Sequence, residues 1–153
     1  MKTYEKTSLI QCDIEELFSF HLDLTNLQAI TPKDTKISLV REIFTPQQGD
    51  ILRLKTVKNF IPIDWNVLIQ KVKKPNILVD LALKSPFSFW EHSHIFTQKK
   101  NGMCELKDVV RYKAPLGFVG VLFDFFVRFE LEKMFTYRHE VTKKILEKKL
   151  TIK

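Results

Sequence analysis

The chain has 153 residues, of which 44% are hydrophobic and 28% charged, the balance of a globular protein large enough to bury a core. Its net charge of +7 suits an anionic partner, but a basic solvated face explains the same excess. The two cysteines lack CxxC or zinc spacing, which predicts thiols in a reducing compartment. No apolar signal segment and no apolar run of about 18 residues is present, which argues against secretion and a membrane-spanning helix. We therefore expect one cytoplasmic domain over residues 1–153.

The first part of the chain predicts one strand followed by two short helices. Loose alternation over residues 3–11 indicates the strand. Asp13 then caps a helix over residues 14–20, because its side chain can accept hydrogen bonds from the first free backbone N–H groups. A second short helix over residues 24–30 ends at a Thr-Pro pair. We interpret His21, which lies between the two helices, as a surface or capping residue.

The middle of the chain predicts about six antiparallel strands joined by tight turns. The predicted strands are residues 37–44, 50–58, 63–70, 77–84, 87–98 and 103–113. Trp65 and its apolar neighbours alternate with polar residues, which indicates a half-buried strand. The next strand continues this alternation with Ile77, Val79, Leu81 and Leu83. No crossover helix separates the strands, and this excludes a doubly wound fold.

Residues 118–150 predict one long helix. Its apolar residues recur at spacings of roughly three and four: Leu122, Phe125, Phe126, Phe129, Phe135, Val141 and Ile145. A curved sheet cannot fill its interior with one helix, so we expect a cavity between the sheet and this helix. The stretch 118–127 is apolar nearly all round. We expect there either a well-covered helix start or an exposed aromatic patch that contacts a membrane or a partner.

One predicted strand combines two of the four histidines with large aromatic residues. Side chains alternate between the two faces of a strand. One face of this strand therefore carries Trp90, His92, His94 and Phe96. Two imidazoles between two large aromatic rings fit neither a purely solvated face nor a purely apolar core.

The hairpin that follows predicts what these side chains face. A three-residue turn over residues 100–102 pairs His94 with Asp108, because paired residues in an antiparallel hairpin share one face. The same register pairs Phe96 with Leu106, His92 with Val110 and Trp90 with Tyr112. Shifts of two residues keep the same faces, so this register is favoured among several. A carboxylate beside His94 would raise its pKa and orient its ring.

Three interpretations of His92, His94 and Asp108 stay open. They hold the polar group of a ligand in a cavity, form a buried network that stabilises the sheet, or bind a metal or transfer a proton. His-x-His on a strand suits two metal ligands, but no third ligand is evident, and we predict no metal site. No phosphate-binding loop, nucleophile elbow or paired-carboxylate motif is present, and we predict no cofactor.

Five segments of the chain resemble the bacterial ligand-binding SRPBCC proteins of the START/Bet v 1-like superfamily, in a branch also described as cell-division-inhibitor-like. These segments are residues 20–27, 30–32, 86–96, 108–117 and 135–138. The Trp-x-His-x-His-x-Phe block is the most specific of them, and the resemblance covers nearly the whole chain. It implies an α+β helix-grip fold, with a curved seven-stranded antiparallel sheet, two short helices and a long C-terminal helix enclosing a cavity. The superfamily includes lipid and hormone carriers, aromatase/cyclases and co-chaperone domains, so it implies a pocket without a reaction.

We therefore expect a protein that binds a hydrophobic small molecule of lipid, polyketide or aromatic type. The predicted ligand-binding residues are Trp65, Trp90, His92, His94, Phe96, Asp108, Tyr112, Phe125, Phe129 and Arg138. Arg138 either closes over an anionic group of the ligand or makes a surface salt bridge.

Two alternatives have different functions. One is a cyclase- or dehydratase-type enzyme in which His92 or His94 moves a proton and Asp108 orients the imidazole. The other is a module that contacts a membrane or a protein through the apolar start of the long helix. Nucleic acid is not an expected partner, because no nucleic-acid-reading element accompanies the positive charge. Both a monomer and a homodimer fit the sequence.

Overall fold

The structure is a computed structural model that describes residues 1–40, 45–114 and 120–150, with side chains in the last helix described over residues 124–149. The first elements are β1 (Lys2–Gln11), α1 (Ile14–Leu22) and a short 3-10 helix (Leu24–Asn26). The next are β2 (Thr35–Leu39), β3 (Ile51–Lys58), β4 (Ile61–Lys73), β5 (Ile77–Lys84), β6 (Phe89–Gln98) and β7 (Met103–Lys113). The last is α2 (Gly120–Leu150).

The seven strands form one antiparallel sheet in the order β1-β7-β6-β5-β4-β3-β2. Among the strands of the described residues, only β1 departs from sequence order, because it pairs with β7 rather than with β2. The sheet curls into a half-barrel around α2. The predicted α+β helix-grip fold is therefore confirmed. The single domain predicted over residues 1–153 stays a prediction.

The start of α1 forms as the sequence predicts. The Asp13 carboxylate accepts hydrogen bonds from the backbone N–H groups of Glu15 and Glu16, at 2.8 and 3.2 Å. The helix ends at Leu22, two residues later than predicted. The second short helix predicted over residues 24–30 forms but is shorter than predicted: a 3-10 helix covers Leu24–Asn26, and hydrogen-bonded turns follow it.

The β6–β7 hairpin has the register that the turn length predicts. His94 pairs with Asp108, and the flanking pairs are Phe96 with Leu106, His92 with Val110 and Trp90 with Tyr112. In the turn, Asn101 and Gly102 have φ angles of 59° and 70°, the left-handed conformation that asparagine and glycine adopt most easily. Local turn chemistry therefore sets the residues that meet in the centre of the sheet.

The strand bounds differ from the predicted ones by a few residues, and β2 and β5 show the more informative differences. Strand β2 covers Thr35–Leu39, and the part of the predicted strand at residues 41–44 lies outside the described residues. In β5, the side chains that line the interior are Leu78 and Asp80, not the apolar set that includes Val79 and Leu81. Both faces of this strand carry apolar residues, so alternation alone does not show which face is internal.

The buried face of α2 agrees with the predicted one in the second half of the helix, where Phe135 is buried and Val141 and Ile145 pack against the core, but differs in the first half. The side chain of Leu122 lies outside the described ones. The buried residues of α2 follow spacings of three and four: Val127, Leu131, Phe135, His139, Thr142 and Leu146. Phe125, Phe126 and Phe129 instead point to solvent, with exposed fractions of 79%, 55% and 60%. A helix start that is apolar on all sides has no preferred face in its sequence, and packing against the sheet selects it.

Two tyrosines of the sheet bind α2 to the sheet through hydrogen bonds. Tyr4 donates a hydrogen bond to Glu132, and Tyr112 donates one to Asp124, both at 2.8 Å. Around them, Val110, Val127, Leu131 and Phe135 form the part of the core beneath this helix. A second cluster packs α1 against β6 and β7 through residues such as Phe18, Phe96 and Leu106. Neither helix in the described ranges is long and apolar enough to cross a membrane.

Candidate functional site

A cavity of about 570 Å³ lies between the curled sheet and α2. Its volume is in the range of small-molecule sites, roughly 300–1,000 Å³. The aliphatic residues of its lining include Leu52, Leu54, Ile63, Val67, Ile69, Leu78 and Leu131. Helix α2 covers the curled sheet without filling its interior, as predicted for a curved sheet packed against a single helix.

Five of the ten predicted ligand-binding residues line this cavity. They are Trp65, Trp90, His92, His94 and Arg138. Phe96, Asp108 and Tyr112 are fully buried and lie behind the lining, in the core. Phe125 and Phe129 lie on the exposed face of α2 and are not cavity-lining residues of the described chain.

Three aromatic rings form one wall of the cavity. The Trp65 and Trp90 ring centroids are 5.5 Å apart at an angle of 70°, and Phe87 lies 4.8 Å from Trp90. Trp65 Nε1 donates a hydrogen bond to Thr56 Oγ1 at 3.1 Å, which fixes the orientation of the indole. The wall offers large apolar surfaces for a ligand. Its side chains are already packed against one another, so they lose little conformational entropy when a ligand binds.

Asp108 contacts three imidazoles. His92 Nε2 lies 3.2 Å from its Oδ1, and His139 Nε2 lies 2.8 Å from its Oδ2. His94 Nδ1 is 2.7 Å from Oδ1, at an angle outside hydrogen-bond geometry, so this contact is electrostatic. His139 Nδ1 in turn lies 2.8 Å from Ser8 Oγ. A buried carboxylate is stable in an apolar interior only with such partners.

The structure adds two histidines that the sequence analysis did not assign to the site. His139 lies on the buried face of α2, four residues after Phe135, and that spacing is the signal that would have identified it. His21 also lines the cavity, with its ring centroid 5.2 Å from that of His94. The interpretation of His21 as a surface or capping residue is therefore wrong. It lies in the last turn of α1, which packs against β6.

Asp80 is a third cavity-lining residue that the sequence analysis did not assign to the site. It lies on β5 opposite His92. Its Oδ2 is 3.7 Å from His94 Nε2. Its Oδ1 is buried and makes no hydrogen bond with any residue in the described ranges. Asp80, His92 and His94 therefore offer three potential metal ligands whose donor atoms lie within 4.8 Å of one another.

Burial and charge give these groups different pKa values. Burial lowers the pKa of His92 to about 4, and the neighbouring His94 adds to this effect. Burial opposes the charging of His94 too, but the charges of Asp108 and Asp80 outweigh it and raise the pKa of His94 to about 9. Burial likewise disfavours the Asp108 carboxylate, yet His94 and the hydrogen bonds from its other imidazoles hold the pKa of Asp108 well below its usual value. The arrangement thus pairs one imidazolium with one carboxylate at neutral pH.

Arg138 adds a positive charge to the same end of the cavity. Burial lowers the pKa of its guanidinium, against the opposing charges of Asp108 and Asp80. Its guanidinium carbon lies 5.3 Å from the centroid of the Phe135 ring. Its Nε is buried and has no hydrogen-bond partner within the part of the chain that the structure describes. Arg138 therefore lines the cavity, and both of its predicted roles, contact with an anionic group of a ligand and a surface salt bridge, stay predictions.

The opposite end of the cavity reaches solvent. Its lining includes exposed residues of the β3–β4 turn, the start of β4 and α2, namely Asn59, Ile61, Phe126 and Lys133. An ion pair between Lys58, the last residue of β3, and Glu130 joins this strand to α2. We call this end the mouth.

Comparisons with known proteins agree with the architecture. A START superfamily protein from Mycobacterium smegmatis superposes with a TM-score of 0.70 and 12% sequence identity, over 95% of this chain and 97% of that one. The di-domain ARO/CYC StfQ from the steffimycin biosynthetic pathway superposes with a TM-score of 0.73 and 8% identity, over 97% of this chain and 52% of that one. Ara h 8.0201 superposes with a TM-score of 0.61 and 15% identity, over 92% of this chain and 97% of that one.

The fold is that of the SRPBCC proteins. No family model and no curated protein matches the sequence, so this likeness is one of structure. In this SRPBCC fold, the cavity combines an apolar chamber with polar side chains at its inner end. Among the described residues no serine or cysteine lines the cavity, so its potential reactive groups are imidazoles, carboxylates, threonine hydroxyls and the lysine amines at the mouth.

Proposed function

We propose that this protein binds one hydrophobic small molecule in the cavity, with a polar group of the ligand at the inner end. The observation that carries the proposal is an apolar cavity of about 570 Å³ whose inner end presents His92, His94 and Arg138. Apolar walls supply affinity through desolvation, and a few polar groups orient the ligand. The cytoplasmic location predicted from the sequence is part of this proposal.

The aromatic wall indicates the type of ligand. Trp65, Phe87 and Trp90 present ring faces and edges that suit a fused-ring or long unsaturated molecule. The structural likeness to an ARO/CYC protein of a biosynthetic pathway is consistent with a hydrophobic ligand. A lipid-like or polyketide-like compound is therefore the class that we propose.

Intrinsic fluorescence tests this proposal, since both tryptophans of the chain line the cavity. We expect titration with oleic acid or an anthraquinone carboxylic acid to change tryptophan emission and to saturate at one molecule per chain. Val67→Phe, which places a ring in the cavity, should weaken binding at least tenfold. Val109→Phe is the matched control, because Val109 lies on β7 beside Asp108 and faces the other side of the sheet. Absence of a saturable change with either probe, or equal binding by both variants, would contradict the proposal.

We also propose that the mouth contacts an anionic membrane surface. Phe125, Phe126 and Phe129 are exposed beside the mouth, and Phe60 at the β3–β4 turn is 98% exposed. Exposed aromatic side chains insert into the interfacial region of a bilayer, and the net charge of +7 complements anionic lipids. Contact at this point would let a hydrophobic ligand pass between bilayer and cavity without crossing water. Liposome flotation tests this second proposal.

A further inference from the structure

Three side chains at the inner end of the cavity have the chemistry and spacing of a metal site. Asp80 projects from β5, and His92 and His94 project from the neighbouring strand β6. A carboxylate oxygen of Asp80 and one ring nitrogen of each histidine lie within 4.8 Å of one another. His94 Nε2 and Asp80 Oδ2 are 3.7 Å apart. Donor atoms at this spacing need only small side-chain adjustments for each of them to lie roughly 2.0–2.2 Å from one transition metal ion.

Asp108 contacts both histidines from the core side, away from the cavity. It lies 2.7 Å from His94 Nδ1 and 3.2 Å from His92 Nε2, and it is completely buried. Imidazoles that bind metals commonly contact a carboxylate through their other nitrogen, which orients the ring and increases its basicity. His94 has this arrangement, with Nδ1 on Asp108 and Nε2 towards Asp80. Metal binding would release the proton of Nε2 to solvent, because only a neutral imidazole nitrogen binds a metal.

Asp80 faces His94 through Oδ2, but its other carboxylate oxygen has no partner among the described residues. Its Oδ1 is buried and is not hydrogen bonded to any described residue. An unsatisfied carboxylate oxygen beside an apolar cavity is energetically unfavourable, and a bound cation would satisfy it. Arg138 brings one positive charge near the site, whereas Asp80 and Asp108 bring two negative charges. The two carboxylates therefore offset the repulsion between Arg138 and a divalent cation.

We propose that Asp80, His92 and His94 bind one divalent first-row transition metal ion, of which Zn²⁺ and Fe²⁺ are the types that two imidazoles and one carboxylate suit. Ca²⁺ and Mg²⁺ prefer all-oxygen sites and should not compete. Three protein ligands leave a coordination position open towards the cavity, where the polar group of a ligand can reach the ion. The site does not depend on the proposed hydrophobic ligand, because all three metal ligands belong to the chain.

Cobalt titration of the untagged, chelator-treated protein tests this proposal, with Co²⁺ alone as the probe. We expect visible d–d absorption bands that saturate at one Co²⁺ per chain and disappear when Zn²⁺ is added. Asp80→Asn and His94→Ala should abolish the bands. Asp108→Asn, which alters the group behind the imidazoles, should weaken Co²⁺ binding about 10- to 100-fold. Asp64→Asn is the matched control, since this carboxylate is exposed on β4 and should leave the titration unchanged.

Two results would overturn the proposal. One is the absence of saturable bands in the wild-type protein. The other is bands of equal intensity in Asp80→Asn, which would place the ion elsewhere on the chain. Far-UV circular dichroism establishes that each variant is folded, and if His94→Ala does not fold, the isosteric Asp80→Asn decides the result.

Discussion

At the residue scale, the stability of the inner end depends on Asp108. It is completely buried and contacts His92, His94 and His139 from three directions. Each of these imidazoles is itself almost completely buried. Removing the carboxylate would leave a positive charge and two polar rings in an apolar interior without their common partner.

We therefore predict that Asp108→Ala lowers the free energy of unfolding by about 3–5 kcal/mol, as expected when one partner of a buried ion pair is removed. Asp64→Ala provides the control: it also removes a strand carboxylate, but an exposed one, and should change stability by no more than about 0.5 kcal/mol. Urea unfolding followed by circular dichroism measures both changes. If Asp108→Ala were as stable as the control, the imidazoles would not depend on this carboxylate.

How much of the site could be predicted depended on distance along the sequence. The contact between His94 and Asp108 could be predicted because a short turn joins their strands and side-chain parity limits the register. His139 reaches Asp108 from α2, and His21 reaches His94 from α1. Contacts between separate elements depend on packing angles that local patterns do not contain. The third potential metal ligand, Asp80, was missed for a related reason, because the internal face of β5 could not be identified.

At the element scale, α2 shows where hydrophobic patterning stops being informative. Its buried residues from Val127 to Leu146 have clear helical spacing, but the preceding apolar stretch offers no single face. Hydrogen bonds from Tyr4 to Glu132 and from Tyr112 to Asp124 hold the helix in one rotation about its axis. That rotation turns three phenylalanines to solvent beside the mouth.

This exposed face gives the membrane proposal a direct test. We expect the protein to float with liposomes that contain phosphatidylglycerol and to bind pure phosphatidylcholine liposomes more weakly, because anionic lipids attract its net charge of +7. The double variant Phe125→Ser/Phe129→Ser should lose most of this binding, since it removes apolar area that is already exposed and leaves the core unchanged.

A matched control changes an exposed apolar residue far from the mouth. Leu9→Ser on β1 removes a side chain that is 49% exposed and should float like the wild type. Equal flotation of the double variant and this control would show that the phenylalanine face does not contact the bilayer.

At the scale of the whole molecule, the fold could be predicted because its element order is unusual and each element has a clear local signal. Consecutive hairpins followed by one long helix exclude most alternatives. The cavity follows from the same geometry, because a single helix cannot fill a curled sheet of seven strands. The chemical identity of the ligand is not contained in that geometry, because an apolar chamber accepts many molecules of similar size and shape.

The measurement that tests the central claim most directly is native mass spectrometry of the protein purified from its host, compared with the same sample after denaturation. The account predicts that the folded protein carries one additional small-molecule mass, which solvent extraction releases and Val67→Phe reduces. Val109→Phe should retain the additional mass. Identical native and denatured masses for the wild type, or an additional mass that Val67→Phe retains in full, would contradict the claim that this cavity holds a hydrophobic ligand.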